Sequence, residues 1–328
     1  MKFNIFFLIT FLSIALIFLF LNSKRIASHF KLKKVSGDQT PLIGGLGIYL
    51  FITFAFFFLY IFKYNFYEDS LTAYFLISFI FLIGIIDDIF EINYNIRLLI
   101  IYFILFVFFS FESDYLVNYL YFETFEITYE IEKISIFLTP FFILLLINSL
   151  NMADGINGNS SIISIIYLLL IFNINNNLNI LFFLFLISIL IFLFFNFKNI
   201  TYLGDSGVYL LSTFIGLYII KEYNFGVSDL SCERIFLILL IPGIDMFRLF
   251  CERILNKKNP FKGDLNHFHH FLKKKFNLSI AVIIYSLMII WPNLLYKLFN
   301  INLIILIILN IIFYFLFIFN IKKVGKIS

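Results

Sequence analysis

The stretch "FLISFIFLIGIIDDIFEINYNIRLLIIYFILFVFF", Phe75–Phe109, decides the fold. It is two apolar runs parted by one polar break holding Asp87, Asp88, Glu91 and Arg97. Each run approaches the roughly 20 residues that carry a helix across the hydrocarbon of a bilayer. Backbone polar groups in that medium must be satisfied within the segment, which selects helices. The stretch therefore predicts two membrane helices with a polar turn at one face.

The same alternation continues along the 328 residues, of which 62% are hydrophobic and 13% charged. Soluble domains carry about a quarter charged residues, so a soluble enzyme is excluded. Apolar runs place eleven spans at about 3–22, 42–62, 71–86, 97–111, 134–150, 160–173, 180–196, 206–220, 234–250, 279–296 and 301–320. The expected fold is an all-α, polytopic integral membrane protein with about 10–11 transmembrane helices, organised as a single transmembrane domain over residues 1–328. The first run lacks a small-residue cleavage site and reads as a span rather than a signal peptide. Cys232 and Cys251 fall on opposite faces of this topology, so no disulfide between them is expected.

Charge sets the orientation. Loops 24–41, 87–96, 151–159, 197–205, 251–278 and the C-terminus share one side. With Arg97 and Arg248 counted there, that side carries 18 of the 24 Lys and Arg. The other side carries 6, with 11 of the 20 acids. Lys/Arg excess marks the cytoplasmic face, so the N-terminus is expected outside, in the periplasm, and the C-terminal "KKVGK" inside. The expected location is the bacterial inner membrane.

The residues that interrupt the apolar spans gather on that inner face. They are Asp87, Asp88, Glu91 and Arg97; Asn148, Asn151, Asp154 and Asn157; Asp205 in "GDSG"; and Arg253, Asp264, His267, His269 and His270. Each piece has an ordinary reading. An Asp-Asp pair at a helix end is commonly a cap, Asp-Gly a turn, and the lysines at 273–275 a contact with anionic lipid. Zinc is disfavoured for "HFHH", because three ligands within four residues do not easily reach one tetrahedral ion. Shared sidedness favours chemistry. Asp87, Asp88, Asp154 and Asp205 offer hard oxygen ligands suited to Mg²⁺, which binds through one or two carboxylates plus substrate phosphates. The histidines, Arg253 and the lysines offer complementary charge to phosphate. Acids with a metal, plus bases, suggest phosphoryl transfer to something in the lipid.

Five motifs then resemble one family in order. They are "TPLIGGLGIYL" (40–50), "DDIFEINYNIRLL" (87–99), "NSLNMADGINGNSS" (148–161), "YLGDSG" (202–207) and "NPFKGDLNHFHH" (259–270). The family is the polyprenyl-phosphate N-acetylhexosamine-1-phosphate transferases, glycosyltransferase family 4, which includes MraY and WecA. The His-x-His-His spacing and Arg253, after a Pro242–Asp245 stretch, resemble the WecA-like branch. The resemblance implies transfer of N-acetylhexosamine 1-phosphate, GlcNAc-1-phosphate foremost, from a UDP-sugar to undecaprenyl phosphate with release of UMP. That is a first membrane step of cell-surface glycan synthesis, such as O-antigen or teichoic acid. The implied cofactor is Mg²⁺, or Mn²⁺ in its place. The implied partners are UDP-N-acetylhexosamine and undecaprenyl phosphate, with no nucleic acid; a homodimer is compatible with the family.

On this resemblance the expected roles are as follows. Asp205 holds the metal with Asp154 or Asp88. Asp87, Asp88, Asp154 and His269 are catalytic, with Asp87 taking any residual proton. Lys33, Lys34, Arg97, Asn151, Asn157, Arg253, His267 and His270 bind substrate. The chain departs from the pattern at Asn157 and Asn159, where Asp and Leu are usual, and at Val208, Ile101, Ser36 and Glu91. These departures surround nucleotide and sugar contacts. An MraY-type pentapeptide transferase is the enzymatic alternative, against which the histidine spacing speaks. A transporter or an inactive scaffold homologue is the non-enzymatic one; transporter sites sit near the midplane, where most spans here are bare of charge.

Overall fold

The structure, a computed structural model, describes residues 2–23, 40–61, 68–172, 180–225, 230–260 and 265–324. Its helices are α1 (Lys2–Leu21), α2 (Gly44–Ile61), α3 (Glu68–Phe90), α4 (Tyr94–Phe111), α5 (Glu132–Ala153), α6 (Asn159–Ile171), α7 (Ile180–Phe197), α8 (Gly204–Phe225), α9 (Cys232–Leu255), α10 (Phe268–Lys275), α11 (Leu278–Phe299) and α12 (Leu303–Val324). Each expected span coincides with one helix to within a few residues; among the described residues α10 is the additional one. Between α4 and α5 lies a feature the apolar pattern did not foretell, an antiparallel hairpin of β1 (Tyr119–Phe122) and β2 (Ile127–Glu130), with Tyr119 opposite Glu130.

Among the described residues six helices are long and apolar enough to cross a membrane: Gly44–Ile61, Leu71–Phe90, Tyr94–Phe111, Glu132–Ala153, Leu278–Phe299 and Leu303–Ile321. The apolar parts of α1, α6 and α7 are shorter. α8 and α9 are long but carry the buried polar residues described below, which lowers their apolarity. Large apolar side chains such as Leu99, Phe103 and Phe111 on α4 stand exposed. In water that surface would be costly; in hydrocarbon it is ordinary. The protein is an all-α, multi-pass membrane protein. Both cysteines are free thiols.

The chain forms two compact units. Unit 1 is Met1–Phe108 with Ile174–Phe214, and unit 2 is Phe109–Asn173 with Ile215–Ser328. The boundaries fall within α4, within α8 and between α6 and α7.

Unit 1 is built on close backbone approach. α2 packs on α1 and α7, and its start is stitched to the segment before α8. Gly44 N–H donates to the Tyr202 carbonyl (2.9 Å), Gly45 N–H to that of Leu203 (2.9 Å) and Tyr202 N–H to that of Pro41 (3.0 Å). The Gly44 and Gly45 bonds satisfy N–H groups that the first turn of a helix leaves unpaired. They bring backbones so near that a Cβ on Gly45 would collide with Gly207, and one on Gly84 with the Ser206 backbone. In a membrane, where helices gain no hydrophobic drive from one another, such small-residue contacts carry the packing.

Unit 2 centres on α9, which packs against α5, α11 and α12. Leu237 and Leu240 of α9 form a buried cluster with Leu303 and Leu306 of α12. The hairpin is fastened to the start of α9: the buried Glu233 carboxylate accepts from Glu123 N–H and Thr124 N–H (both 3.1 Å). Tyr223 hydroxyl accepts from Tyr121 N–H (2.8 Å), and its ring stacks on Tyr119 at 5.2 Å.

The glycine argument gives a paired expectation. Gly45→Val forces side-chain atoms into the α8 backbone and should cost about 1–3 kcal/mol, the usual penalty of overpacking. It will show as a lowered melting temperature in detergent. Gly243→Ala on α9, where a Cβ meets nothing within 4 Å, should leave melting unchanged or raise it. Equal melting of Gly45→Val and wild type would refute the close-packing account.

Candidate active site

Unit 1 carries an acidic cavity. Asp87 and Asp88 end α3, where Glu91 takes a left-handed backbone (φ 51°) and stops the helix. Adjacent residues on a helix point about 100° apart, and the two carboxylates diverge. Asp87 accepts from Arg97 Nη1 (2.7 Å), the Tyr209 hydroxyl (3.0 Å) and Ile92 N–H (2.9 Å). The Arg97 guanidinium also lies over the Tyr209 ring, 5.8 Å from its centre. Asp88 turns to the start of α8, where Oδ1 accepts from Asp205 N–H (2.7 Å) and Oδ2 from Ser206 N–H (3.1 Å). It thus caps a helix to which it does not belong. Gly204 (φ +75°) makes room for this, since a Cβ there would lie 2.7 Å from Asp88 Oδ2.

The cavity so formed measures ≈ 210 Å³ and is lined by Leu42, Asp87, Asp88, Glu91, Ile92, Arg97 and Asp205. Four carboxylates face it against one guanidinium. Asp205 sits in the first turn of α8, where the helix dipole favours an anion. A divalent cation fits this donor set. Each carboxylate oxygen that accepts one N–H retains a second lone pair. Among the described residues no group of three His, Cys, Asp or Glu encloses a metal by itself.

Unit 2 carries the histidines. The loop after α5 is closed by Asn159, whose Nδ2 donates to the Ala153 carbonyl (2.8 Å), and by Gly158 at φ 80°. Asn159 is one of the departures from the family pattern, and its side chain is a structural clasp. Asp154 accepts from the Ser160 hydroxyl, and Asp154 N–H donates to the Asn151 carbonyl (3.2 Å). Gly155 follows directly, and a Cβ on it would collide with His269 and meet His270 Nε2 at 2.8 Å. The Asp-Gly stretch and the histidine motif therefore touch. His267 and His269 stack with ring centres 5.4 Å apart, and His269 and His270 lie at 4.2 Å. His269 is fully buried, and among the described residues neither ring nitrogen has a hydrogen-bond partner.

Burial, with His270, His267 and Lys273 alongside, holds His269 well below the usual imidazole range. Burial, His267 and the lysines push His270 down to about 4. Both are neutral at pH 7, so they act as dipoles and lone pairs rather than as cations. Arg253 is buried and donates through Nη1 to the Pro260 carbonyl (2.8 Å).

The structure thus gathers Asp87, Asp88, Arg97 and Asp205 in unit 1, and Asp154, His267, His269 and His270 in unit 2. Asn151, Asn157 and Arg253 also belong to unit 2. Lys33, Lys34, Ser36 and Asp264 lie outside the described residues. Tyr209, Gly155, Ser160, Arg248 and Tyr314 were not singled out as site residues. Tyrosines on an apolar span carry no signal in sequence, and Gly155 reads as a turn until its neighbours are seen.

Residues 70–222 match the profile described as glycosyl transferase family 4. The chain is also 25% identical, over 248 residues, to the undecaprenyl-phosphate alpha-N-acetylglucosaminyl 1-phosphate transferase of Thermotoga maritima. That alignment covers 74% of this chain and 71% of the relative.

Two outcomes test the geometry. Arg97→Met strands the buried Asp87 carboxylate and should cost roughly 3–5 kcal/mol, whereas Arg97→Met with Asp87→Leu should recover most of it. Melting of the two variants decides; equal loss in both would sink the pairing. The histidine burial sets a pH dependence. The unfolded chain binds a proton at His270 near pH 6.5 that the folded chain refuses until about 4. Stability therefore falls as pH drops through that window. His270→Gln should flatten the melting-temperature slope between pH 6.5 and 4, and an unchanged slope would count against the burial.

Proposed function

We propose that this chain, a member of glycosyl transferase family 4 over residues 70–222, transfers N-acetylglucosamine 1-phosphate from its UDP-sugar to undecaprenyl phosphate and releases UMP. The observation that carries the reading is the acidic cavity at the junction of α3 and α8, lined by Asp87, Asp88, Glu91, Arg97 and Asp205. The named activity of the Thermotoga maritima relative supports the acceptor and the sugar. The cavity lies at helix ends that the lysine and arginine count assigns to the cytoplasmic face, where nucleotide sugars are found, in the bacterial inner membrane.

In this reading a phosphate oxygen of the lipid attacks the sugar-bearing phosphorus of the diphosphate. The bond to the bridging oxygen breaks, and UMP leaves with its electron pair. The attacking oxygen is already anionic near neutral pH, so no strong base is required. Asp88 and Asp205 would hold Mg²⁺, and a cation there neutralises diphosphate charge and polarises the phosphorus. Asp87 is occupied by Arg97, Tyr209 and a backbone N–H. Its part is to aim the Arg97 guanidinium at phosphate rather than to carry a proton. His267, His269 and His270, with Asn151, Asn157 and Arg253, all of unit 2, are the further groups proposed to contact substrate. Asp154, held by Ser160, fixes the loop on which Gly155 admits the imidazoles.

The test is transfer of label. Membranes containing the chain receive Mg²⁺, undecaprenyl phosphate and UDP-GlcNAc labelled in the sugar. Label in the lipid phase with UMP released is expected. Transfer from the UDP-muramoyl pentapeptide alone would move the enzyme to the other branch. Asp205→Asn should lower turnover by about 10³-fold, the scale of removing a principal electrostatic group. Turnover above a tenth of wild type in a folded variant would refute the metal role.

A further inference from the structure

Asp245 lies in α9, in the half nearer the histidine loop, and is 4% exposed. A carboxylate so buried must be fully satisfied, and this one is met from three elements. The Tyr314 hydroxyl of α12 donates to Oδ1 (2.5 Å), as does Arg248 Nη2 of its own helix (2.7 Å). Phe268 N–H, at the first turn of α10, lies 3.2 Å from both oxygens. His267 Nδ1 lies 3.3 Å from Oδ2. Arg248 is itself tied to the same loop, donating through Nη2 to the Asn266 carbonyl (2.7 Å) and through Nε to the Tyr314 oxygen (2.8 Å). Stability alone does not explain this arrangement, since buried ion pairs are often no better than apolar packing of the same volume. It does fix a geometry. α10 begins at Phe268 and carries His269 and His270, and His267 is its cap residue. One carboxylate therefore sets both where the helix of histidines starts and which way its first imidazole faces.

We propose that Asp245 is the positioning residue of the histidine cluster. It accepts the hydrogen bond from His267 Nδ1–H, which fixes the ring so that Nε2 faces away from the carboxylate, and it anchors α10 so that His269 and His270 seat on Gly155. Tyr314 and Arg248 hold Asp245 in place. Its effect on turnover rests on the transferase reading above; its effect on the tautomer does not.

The experiment uses the full chain in lipid nanodiscs, labelled with ¹⁵N in its four histidines. His267→Gln assigns the His267 signal. Wild type should show His267 with its proton or hydrogen bond at Nδ1, and Asp245→Asn should shift that signature. In transfer assays Asp245→Asn should lower kcat by about 10²-fold, the scale of one misoriented polar group, with KM for the UDP-sugar within about threefold. Asp245→Asn combined with His267→Gln should be no slower than His267→Gln alone, because residues acting through one another are not additive. Because Asp245→Asn leaves Arg248 without its buried partner, the triple variant Asp245→Asn, Arg248→Gln, Glu252→Gln, which also removes the carboxylate that accepts from Arg248 Nη1 (2.9 Å), repeats each measurement in a neutral network. An unchanged His267 signature, or multiplicative losses in the cycle, would overturn the proposal. If wild type moves no sugar phosphate, the transferase reading fails while the signature still decides the positioning role.

Discussion

The acceptance of α8's first N–H groups by Asp88 is the constraint on which unit 1 depends. A helix that starts at Gly204 has no capping side chain of its own, because Leu203 and Gly204 offer no acceptor. Asp88 supplies one from α3. That requires α3 and α8 to approach at backbone distance, hence Gly84 and Gly204, and leaves Gly45 against Gly207 on the other side. It also fixes Asp205 in the turn beside Asp88. The local concentration of negative charge is thus a consequence of how one helix is started. It is tolerable because Arg97 neutralises Asp87 and the helix dipole favours Asp205.

Unit 2 uses the same device. Asp245 of α9 accepts the first free N–H of α10, as Asp88 does for α8. In each unit a carboxylate from a long helix caps a second helix whose opening turn bears candidate site residues. Where burial makes every unmet N–H costly, a cap in trans both satisfies the backbone and fixes side-chain direction. A cap from the same chain segment would satisfy the backbone without locating the helix relative to its neighbour.

Much of this was legible in sequence. The apolar runs located eleven helices because bilayer thickness fixes their length, and the polar breaks named Asp87, Asp88, Asp154, Asp205 and the histidines. The hairpin was missed because β1 and β2 are four residues each and take their order from Tyr223 and Glu233, both distant in sequence. Tyr209 and Tyr314 were missed for a related reason. A tyrosine within an apolar span looks like packing, and its hydroxyl acquires meaning only from the carboxylate it reaches. The division of Asp87 from Asp88 was likewise hidden. Adjacent in sequence, they are turned by the helix to separate partners.

The departures at residues 157 and 159 take on a different weight once the loop is seen. Asn159 is 1% exposed and spends its amide on the Ala153 carbonyl. An apolar residue there would leave that carbonyl at the end of α5 without this donor, so the loop would close by other means. The loop matters because Gly155 stands against His269 and His270 with no room for a Cβ. Its path therefore determines how the imidazoles are seated. The two imidazoles are neutral at pH 7, and His269 is buried, so they offer directed single hydrogen bonds whose value depends on angle and distance rather than on long-range charge. A site built on such groups is sensitive to the loop that holds them.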